Sequence, residues 1–361
     1  MNTYPFGNDP TKIERYKSFW ERTNDDRPLI GFTQVSWFPV QYFTVSSSWE
    51  VDSYVTHDMI NPEEWLDDTE KLLIEGETIQ DDILRGACPG QLAFPAFLPA
   101  SLGSEIKVLP NTVLPEAVHL PWEKALASKF DPENPWIKTY FAFADALVKQ
   151  SQGRYPVSHN GELGPTDLHA ILRGHNEALI DLMDYPEQTR ELLFTLGTLF
   201  VDATKGVWER LPLFHDGYFD AQYQLWAPGP IVRMQEDATA SFSPDLYRKL
   251  VQPVDRMIAE QFPNAFIHLH STSMYILDAF LEVEKIRCFE INVEPFNIPL
   301  KDMLPYFKMV QDADRCLLIR GSFTPDELKM VRDNLDPRGL YVHIIVGDNK
   351  EIETLSPVAG L

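Results

Sequence analysis

The sequence predicts an α/β fold in which about eight parallel strands, each followed by a helix, close into a (β/α)8 TIM barrel. Short apolar runs alternate with helix-length segments along the 361 residues, which is typical of successive βαβ units. The length suits one barrel of about 250 residues with insertions. Polar side chains follow several of these runs directly, as expected where ligands bind at the carboxyl edge of parallel strands. We therefore expect one barrel domain over residues 1–361.

An amphipathic helix is expected first, because four large apolar side chains recur at helical spacing in residues 11–22. The apolar run LIGFT at residues 29–33 predicts the first strand. Residues 35–54 are crowded with aromatic side chains and serine, so we expect residues 35–130 to form a loop-rich cap over the carboxyl face of the barrel. Loops that follow barrel strands usually carry substrate specificity.

The later elements are predicted from short apolar runs and from helix-start signals. Further strands are expected at residues 155–158, 213–218, 265–269, 286–291, 316–319 and 340–346, with an eighth between residues 87 and 108. Helix starts are marked by a polar cap residue followed by proline, at Asn61-Pro62, Asn134-Pro135, Ser243-Pro244 and Thr324-Pro325. An open doubly wound sheet is the alternative, but no Gly-x-Gly-x-x-Gly turn follows the first strand.

Charge and cysteine content narrow the range of partners and cellular locations. The chain has 54 acidic and 31 basic side chains, a net charge of −23, which would repel nucleic acid and anionic membranes. The three widely spaced cysteines suit neither a disulfide framework nor a Cys-x-x-Cys zinc site. No apolar run approaches the roughly 20 residues of a membrane span, and the first residues lack the apolar core of a signal peptide. We expect a cytoplasmic protein that acts on a small molecule.

The strongest candidate site lies in residues 265–292. An apolar strand carries His268 and His270, whose side chains point to the same side, and the next strand carries Glu290. One hypothesis is a divalent metal such as zinc, bound by both histidines and by Glu290 or Asp348, with an open coordination position. Two alternatives are a metal-free acid/base pair and a pair of hydrogen-bonded histidines that only shapes the cleft.

Two more catalytic candidates are His159, which directly follows the strand predicted at residues 155–158, and Asp220. Asp167 and Arg173 are candidate substrate contacts, although a carboxylate near a helix start can simply be a cap and an arginine can brace the barrel rim. One of Glu236 and Asp237 is expected to face the cleft. His343, in the last strand, could face either the barrel interior or the helices.

An aromatic wall is the remaining candidate feature. Tyr218, Tyr223 and Trp226 follow the strand predicted at residues 213–218, and Trp37 lies in the loop after the first strand. Aromatic faces of this kind would stack on a flat or methylated cationic group. A packed aromatic loop with no ligand is the alternative interpretation.

Five stretches carry a resemblance to a known superfamily. They are WERTNDDRPLI at 20–30, GPTDLHAILRG at 164–174, LMDYPE at 182–187, QEDATASFSP at 235–244 and HLH at 268–270. Together they resemble the uroporphyrinogen decarboxylase-like superfamily, which also contains cobalamin-dependent methyltransferases that move methyl groups between corrinoids and thiols. The resemblance runs from about residue 12 to residue 350. It implies a (β/α)8 barrel with its cleft at the carboxyl face of the strands.

The chain departs from both well-understood branches of that superfamily. Uroporphyrinogen decarboxylases carry an RQAGR motif after the first strand, whereas residues 36–43 here read SWFPVQYF and contain no arginine. The zinc methyltransferases use His-x-Cys on one strand and a second cysteine after the last strand. His268 matches that histidine, but His270 stands where the first cysteine belongs, and Gly347 and Asp348 lie near the position of the second. A thiolate-rich zinc site cannot be built here.

The resemblance implies an enzyme that transfers a methyl group between a corrinoid and a small acceptor, with a histidine-bound metal and a corrinoid protein as partner. Members of the superfamily are often homodimers, so a homodimer is expected. Two alternatives stay open. One is a metal-assisted or acid/base lyase or hydrolase, including a decarboxylase, and the other is a non-catalytic protein that binds a tetrapyrrole or corrinoid.

Overall fold

The fold is a mixed α/β arrangement built on a six-stranded parallel sheet. The computed structural model describes residues 4–34, 39–92, 94, 96–294 and 298–361. The strands in this part of the chain are β1 (Leu29–Thr33), β2 (Tyr54–Val55), β3 (Ile106–Val108), β4 (Val113–Pro115), β5 (Tyr218–Asp220), β6 (Leu225–Ala227), β7 (Ile231–Gln235), β8 (Asn264–Leu269), β9 (Ile286–Val293), β10 (Cys316–Gly321) and β11 (Leu340–Ile345). The large sheet has the order β1-β11-β10-β9-β8-β7.

Helices connect and cover these strands. They are α1 (Lys12–Glu21), α2 (Leu66–Leu73), α3 (Phe97–Ser101), α4 (Trp122–Leu126), α5 (Pro135–Ser151), α6 (Pro165–Arg173), α7 (His175–Asp184), α8 (Pro186–Trp208), α9 (Pro244–Leu246), α10 (Gln252–Glu260), α11 (Leu277–Leu281), α12 (Leu300–Asp312), α13 (Pro325–Asn334) and α14 (Asn349–Ala359). Among the described helices, none is both long enough and apolar enough to cross a membrane.

Apolar composition on both faces explains why the strands of the large sheet are buried. Every residue of β7, β8 and β10 is buried, as expected for parallel strands covered by helices on one face and by core side chains on the other. Five strands, β1 and β8 to β11, lie where the apolar runs predict them. The sixth, β7, was not predicted, because two prolines precede it and Arg233 and Gln235 interrupt its apolar pattern.

Two other predicted strands have a different structure. Residues 155–158 contribute an isolated parallel bridge between Val157 and Ala87. The strand predicted at residues 213–218 is replaced by a turn, in which His215 and Asp216 have positive φ, followed by an antiparallel hairpin of β5 and β6. Phe214 and Tyr218 of that segment pack in an apolar cluster without joining the large sheet, whereas Leu213 is exposed.

The predicted cap contains more regular structure than a set of loops. It includes a three-stranded antiparallel sheet of β2, β3 and β4 together with several short helices. Phe43, Trp65 and Phe97 of the cap pack in one apolar cluster with Tyr140 of α5, so aromatic packing accounts for much of the aromatic content of this region. Residues 35–38, with the candidate Trp37, lie outside the described residues.

Buried carboxylates bind the edge of β1 that does not pair with β11. Backbone N–H groups of Ile30 and Phe32 donate to Asp82 Oδ2 and Asp81 Oδ2, each at 2.9 Å. Arg85 in turn donates to Asp81 Oδ2 at 2.9 Å and to the Phe32 carbonyl oxygen at 2.8 Å. Side chains therefore satisfy backbone groups that a neighbouring strand would otherwise bind.

Substituting Asp81→Asn should destabilise the protein by about 3 kcal/mol, because the Arg85 guanidinium would stay buried without its main counter-charge. Urea denaturation of the purified variant measures the change in unfolding free energy. Asp26→Asn is the matched control, since its ion pair with Arg15 is largely exposed and should contribute little. Equal effects of the two substitutions would show that the buried cluster does not hold β1.

Candidate metal and ligand site

A cavity of about 640 Å³ lies at the carboxyl ends of β7, β8 and β9. One wall is apolar and includes side chains of the cap and of α6. Another part of the lining, the polar wall, carries polar side chains from the three strands and from the residues that directly follow them. The apolar wall includes Val113, Leu114, Pro115, Leu163, Ala170 and Ile171, and the polar wall includes Arg233, Gln235, Asp237, His268, His270, Asn292 and Glu294. The predicted histidines are therefore part of a real concave site, which is the usual location for ligand binding.

Strand register fixes the orientation of His268. It lies opposite Gln235 on β7 and opposite Glu290 on β9, so the three side chains project to the same side of the sheet. His268 Nδ1 contacts the fully buried carboxylate of Glu290 and lies 2.8 Å from the hydroxyl oxygen of Tyr223. These partners on Nδ1 leave Nε2 facing the cavity.

His270 lies two residues further along the chain, and a carboxylate contacts its Nδ1 in the same way. Its Nδ1 lies 2.6 Å from Glu294 Oε1, and Ser271 Oγ donates to the other oxygen of that carboxylate at 2.7 Å. His270 Nε2 lies 3.1 Å from His268 Nε2 and 3.6 Å from Asp237 Oδ2. Two imidazole nitrogens and one carboxylate oxygen therefore converge at a single point on the cavity wall.

This convergence fits a bound divalent cation. With each Nδ1–H on a carboxylate, both Nε2 atoms present lone pairs to each other, and two acceptors 3.1 Å apart repel unless a proton or a metal ion lies between them. A tetrahedral metal bound about 2.0–2.1 Å from each nitrogen would separate the nitrogens by about 3.3 Å. Ligand atoms of Asp237, His268 and His270 all lie within 4.8 Å of one another. A histidine that binds a metal through one ring nitrogen usually donates the N–H of its other ring nitrogen to a carboxylate or carbonyl group.

Charge around His270 favours its protonated form when no metal is bound. Burial opposes that charge, but Asp237 and Glu294 outweigh burial and raise the pKa of His270 to about 9. A proton can therefore occupy the position between the two Nε2 atoms at neutral pH, and a metal ion would have to displace it.

Two carboxyl groups, those of Asp167 and Asp237, line the same cavity. Burial and the negative charge of Asp237 raise the pKa of Asp167 to about 8. Burial acts in the same direction on Asp237, but hydrogen bonding to His270 and the neighbouring imidazoles lower its pKa below the ordinary value. Carboxyl groups whose pKa values are driven apart suit an acid and a base. Asp167 also accepts a hydrogen bond from the Ala238 N–H at 3.1 Å, which fixes it to the segment that carries Asp237.

Two residues expected as metal ligands lie elsewhere. Glu290 is placed behind His268, on the ring nitrogen that points away from the cavity. Asp348 caps helix α14, where its Oδ1 accepts from the N–H groups of Lys350 and Glu351 at 2.8 and 3.1 Å. It lines a neighbouring cavity of about 690 Å³. Within the described residues, Asp237 takes the third position of the cluster instead.

The catalytic candidates His159 and Asp220 do not line the cavity formed by the described residues. His159 is buried with its Nδ1 2.5 Å from the carbonyl oxygen of Asn160, and burial lowers its pKa to about 4. Asp220 accepts the N–H of Tyr223 at 2.9 Å, and burial raises its pKa to about 6. Asp220 therefore contributes to the site through the backbone of Tyr223, which contacts His268.

Several of the remaining candidates make structural contacts. Arg173 binds Asp181 at 2.8 Å and lies over the ring of Trp122, so it braces the surrounding structure. His343 is buried, with its Nε2 2.7 Å from Thr33 Oγ1.

The predicted aromatic wall is only partly at the site. Tyr218 packs edge-on against Trp208, and Trp226 Nε1 donates to the Phe214 carbonyl oxygen. Tyr223 contacts the histidine cluster. Between Glu236 and Asp237, it is Asp237 that lines the cavity, whereas Glu236 accepts the N–H of Thr166 at 2.9 Å.

Sequence reasoning missed Arg233, Gln235 and Glu294. The first two lie on β7, and their alternation with Val232 and Met234 is the two-residue period of a strand. Glu294 continues the period that begins with Glu290 and Asn292 on β9. Extending the two-residue period beyond the apolar runs would have identified the two residues on β7 and Glu294 after β9.

The fold resembles a known enzyme structure, although sequence comparisons are negative. No protein-family model matches this chain, and no curated protein matches it in sequence. A solved structure of a methyltransferase from Methanosarcina mazei superposes with a TM-score of 0.62. The match covers 99% of this chain and 98% of that one at 14% identity. At that identity, the likeness is one of fold.

In metal-free protein, His270 should titrate near pH 9, and Glu294→Gln should lower its pKa because one of the two stabilising carboxylates is removed. Because the folded-state pKa is raised, the stabilisation is complete below about pH 6.5 and is lost as pH rises through about 9. Imidazole NMR titration measures the first quantity and denaturation across this range the second. The exposed Glu353→Gln is the matched control. A His270 pKa that stays the same in the Glu294 variant would contradict the assignment.

Proposed function

We propose that this protein is a metal-dependent enzyme that transfers a methyl group between a corrinoid and a small molecule bound beside His268 and His270. The observation that carries the proposal is the convergence of two Nε2 atoms and one carboxylate oxygen on the cavity wall. Each imidazole is held by a carboxylate on its far nitrogen. This arrangement supports metal binding more than it supports a cleft shaped by histidines alone.

The proposal includes a closed (β/α)8 barrel. The six strands of the large sheet would be joined by the segments around Ala87 and Val157, which makes eight. In support, the Ala87 N–H donates to the Pro156 carbonyl oxygen at 3.0 Å, and the Ser158 N–H donates to the Ala87 carbonyl oxygen at 2.8 Å. A barrel would place the cavity at the carboxyl face, where barrel enzymes carry their active sites.

His268, His270 and Asp237 would hold the ion, with zinc as the first candidate. When bound, such an ion supplies a Lewis acid that lowers the pKa of an acceptor atom and so prepares it for methylation. Glu290 and Tyr223 orient His268, and Glu294 orients His270. Ionised Asp167, which forms at mildly alkaline pH because its pKa is raised to about 8, would take up the proton that the acceptor loses. The apolar wall would exclude water from the reacting groups.

The corrinoid, a corrinoid protein that carries it, the cytoplasmic location and a homodimer are parts of the same proposal. They are supported by the resemblance of the sequence stretches to the corrinoid-linked methyltransferases and by the likeness of fold to a methyltransferase. The alternative to this proposal is a protein that binds a corrinoid or tetrapyrrole without catalysing a reaction.

A metal-assisted or acid/base lyase, such as a decarboxylase, is the second candidate. The pair formed by Asp167 and Asp237 favours it, because a carboxyl group with a pKa near 8 beside an ionised carboxylate can donate a proton to a carbanion at neutral pH. A lyase would use the same cavity without corrinoid.

Metal-free protein should take up close to one zinc ion per chain. His268→Ala, His270→Ala and Asp237→Asn should each abolish stoichiometric uptake, whereas Glu290→Gln and Glu294→Gln should weaken affinity about 10- to 100-fold, because they remove only the outer partners. Elemental analysis and competition with a chromophoric chelator measure both effects. Asp348→Asn is the control and should bind like the parent protein. Uptake that fails in the parent, or depends on Asp348, would refute the site.

Methyl transfer should appear as loss of the methylcobalamin absorbance when the metal-loaded protein is mixed with corrinoid and candidate acceptors. The His270→Ala variant should show no change, because the acceptor would lose its activating site. Stable corrinoid binding without turnover would favour the non-catalytic binder. Metal uptake with no corrinoid affinity, together with release of carbon dioxide from carboxylic acids, would favour the lyase.

A further inference from the structure

Arg233 is a buried cation that forms no direct ion pair with any carboxylate of the described residues. It lies on β7, is 2% exposed and lines the cavity that contains the histidine cluster. Its Nη1 contacts the side-chain oxygen of Gln235, and its Nη2 donates to the Glu162 carbonyl oxygen at 3.1 Å. Within the described part of the chain, its Nε has no hydrogen-bond partner, and no carboxylate forms an ion pair with it.

Two other arginines show the contrast. Buried Arg85 is paired with Asp81 and Glu75, and half-buried Arg173 is paired with Asp181. An ionised group taken out of water without a compensating charge is strongly disfavoured. The guanidinium of Arg233 therefore has unused capacity to bind an anion at the wall of a cavity.

An amide side chain lies between Arg233 and the Asp237 carboxylate. Gln235 accepts from Arg233 and donates from its Nε2 to Asp237 Oδ2 at 2.6 Å. The Asp237 carboxylate is thus directed to the histidine cluster and not to the arginine. The arrangement separates a cation-binding end of the cavity from an anion-binding end.

Neighbouring groups extend the anion-binding end. Asn292 lines the cavity, and its side chain makes no hydrogen bond within the described residues. Gln222 also lines the cavity. A Cβ at Gly161 would lie 2.4 Å from Gln222 Oε1 and 2.9 Å from Arg233 Nη2, so glycine is required for these groups to reach their positions. The apolar lining of the same cavity includes Val113, Leu114 and Ile171.

We infer that the small molecule bound in this cavity is an organic acid with an apolar body. Its carboxylate binds Arg233, with the amides of Gln222 and Asn292 beside it, and its apolar part lies against Val113, Leu114 and Ile171. The planar guanidinium matches a carboxylate through two parallel hydrogen bonds. The inference rests on the proposed function in one respect, since it places the reacting group of the acid next to the histidine cluster.

The test compares hexanoate with its neutral counterpart hexanamide by calorimetric titration of metal-free and zinc-loaded protein. In the metal-free protein, hexanoate should bind about 10- to 100-fold more tightly than hexanamide, because a charge-assisted hydrogen bond is lost in the amide. Arg233→Gln should abolish this preference. Arg233→Lys should keep part of it, and the exposed Arg190→Gln should leave it unchanged.

Gly161→Ala provides a second variant that keeps the charge and displaces the guanidinium, and it should also weaken hexanoate binding. This result would decide the matter if Arg233→Gln did not fold. Equal binding of the two probes, or a hexanoate preference that survives in folded Arg233→Gln, would overturn the inference. A preference found only with zinc would also overturn it, because the ion would then hold the carboxylate. If the parent protein binds hexanoate through Arg233 but transfers no methyl group, the proposed function is wrong and the inference about Arg233 still holds.

Discussion

The contact between the buried Glu290 carboxylate and His268 Nδ1 determines the geometry of the candidate site. Parallel register brings Glu290 beside His268 at adjacent strand positions, so the contact is set by the sheet and not by a mobile loop. Once Nδ1 is occupied, Nε2 has to face the cavity. His270, two residues on, then brings its own Nε2 to within 3.1 Å of it. The pairing of β8 with β9 therefore orients His268, and the two-residue period of the strand carries His270 to the same side.

Distribution of charge across the cavity follows from the same sheet. Successive inward positions on β7 are Arg233, Gln235 and then Asp237 just beyond the strand end, so a cation, a neutral amide and an anion succeed one another along one line. The anionic end faces the histidines, and the cationic end lies deeper. Because the neutral amide separates the two charges, the Asp237 carboxylate can interact with His270 while the Arg233 guanidinium forms no ion pair within the described residues. This separation is what would allow a strongly acidic chain to bind an anion locally.

Sequence could predict the strands whose apolar runs are long, and it could predict the shared direction of His268 and His270. It did not reveal β7, because prolines at 228 and 230 read as a loop and Arg233 reads as surface. It also placed a strand at residues 213–218, where positive φ at His215 and Asp216 makes a turn. The roles of Glu290 and Asp237 could not be predicted from the sequence. Strand register and the path of the loop after β7 decide which histidine nitrogen each carboxylate contacts, and residue spacing encodes neither the register nor the path.

His270 stands at the position where the zinc methyltransferases that the sequence resembles have a cysteine, and the two residue types need different surroundings to act as ligands. A thiolate ligand needs no orienting partner, whereas an imidazole ligand has to be held in one tautomer by a group on its second nitrogen. Glu294 provides that group, and Ser271 holds Glu294 in turn. Both contacts are ones that the proposed metal site would require of His270, with nitrogen and oxygen ligands in place of sulfur.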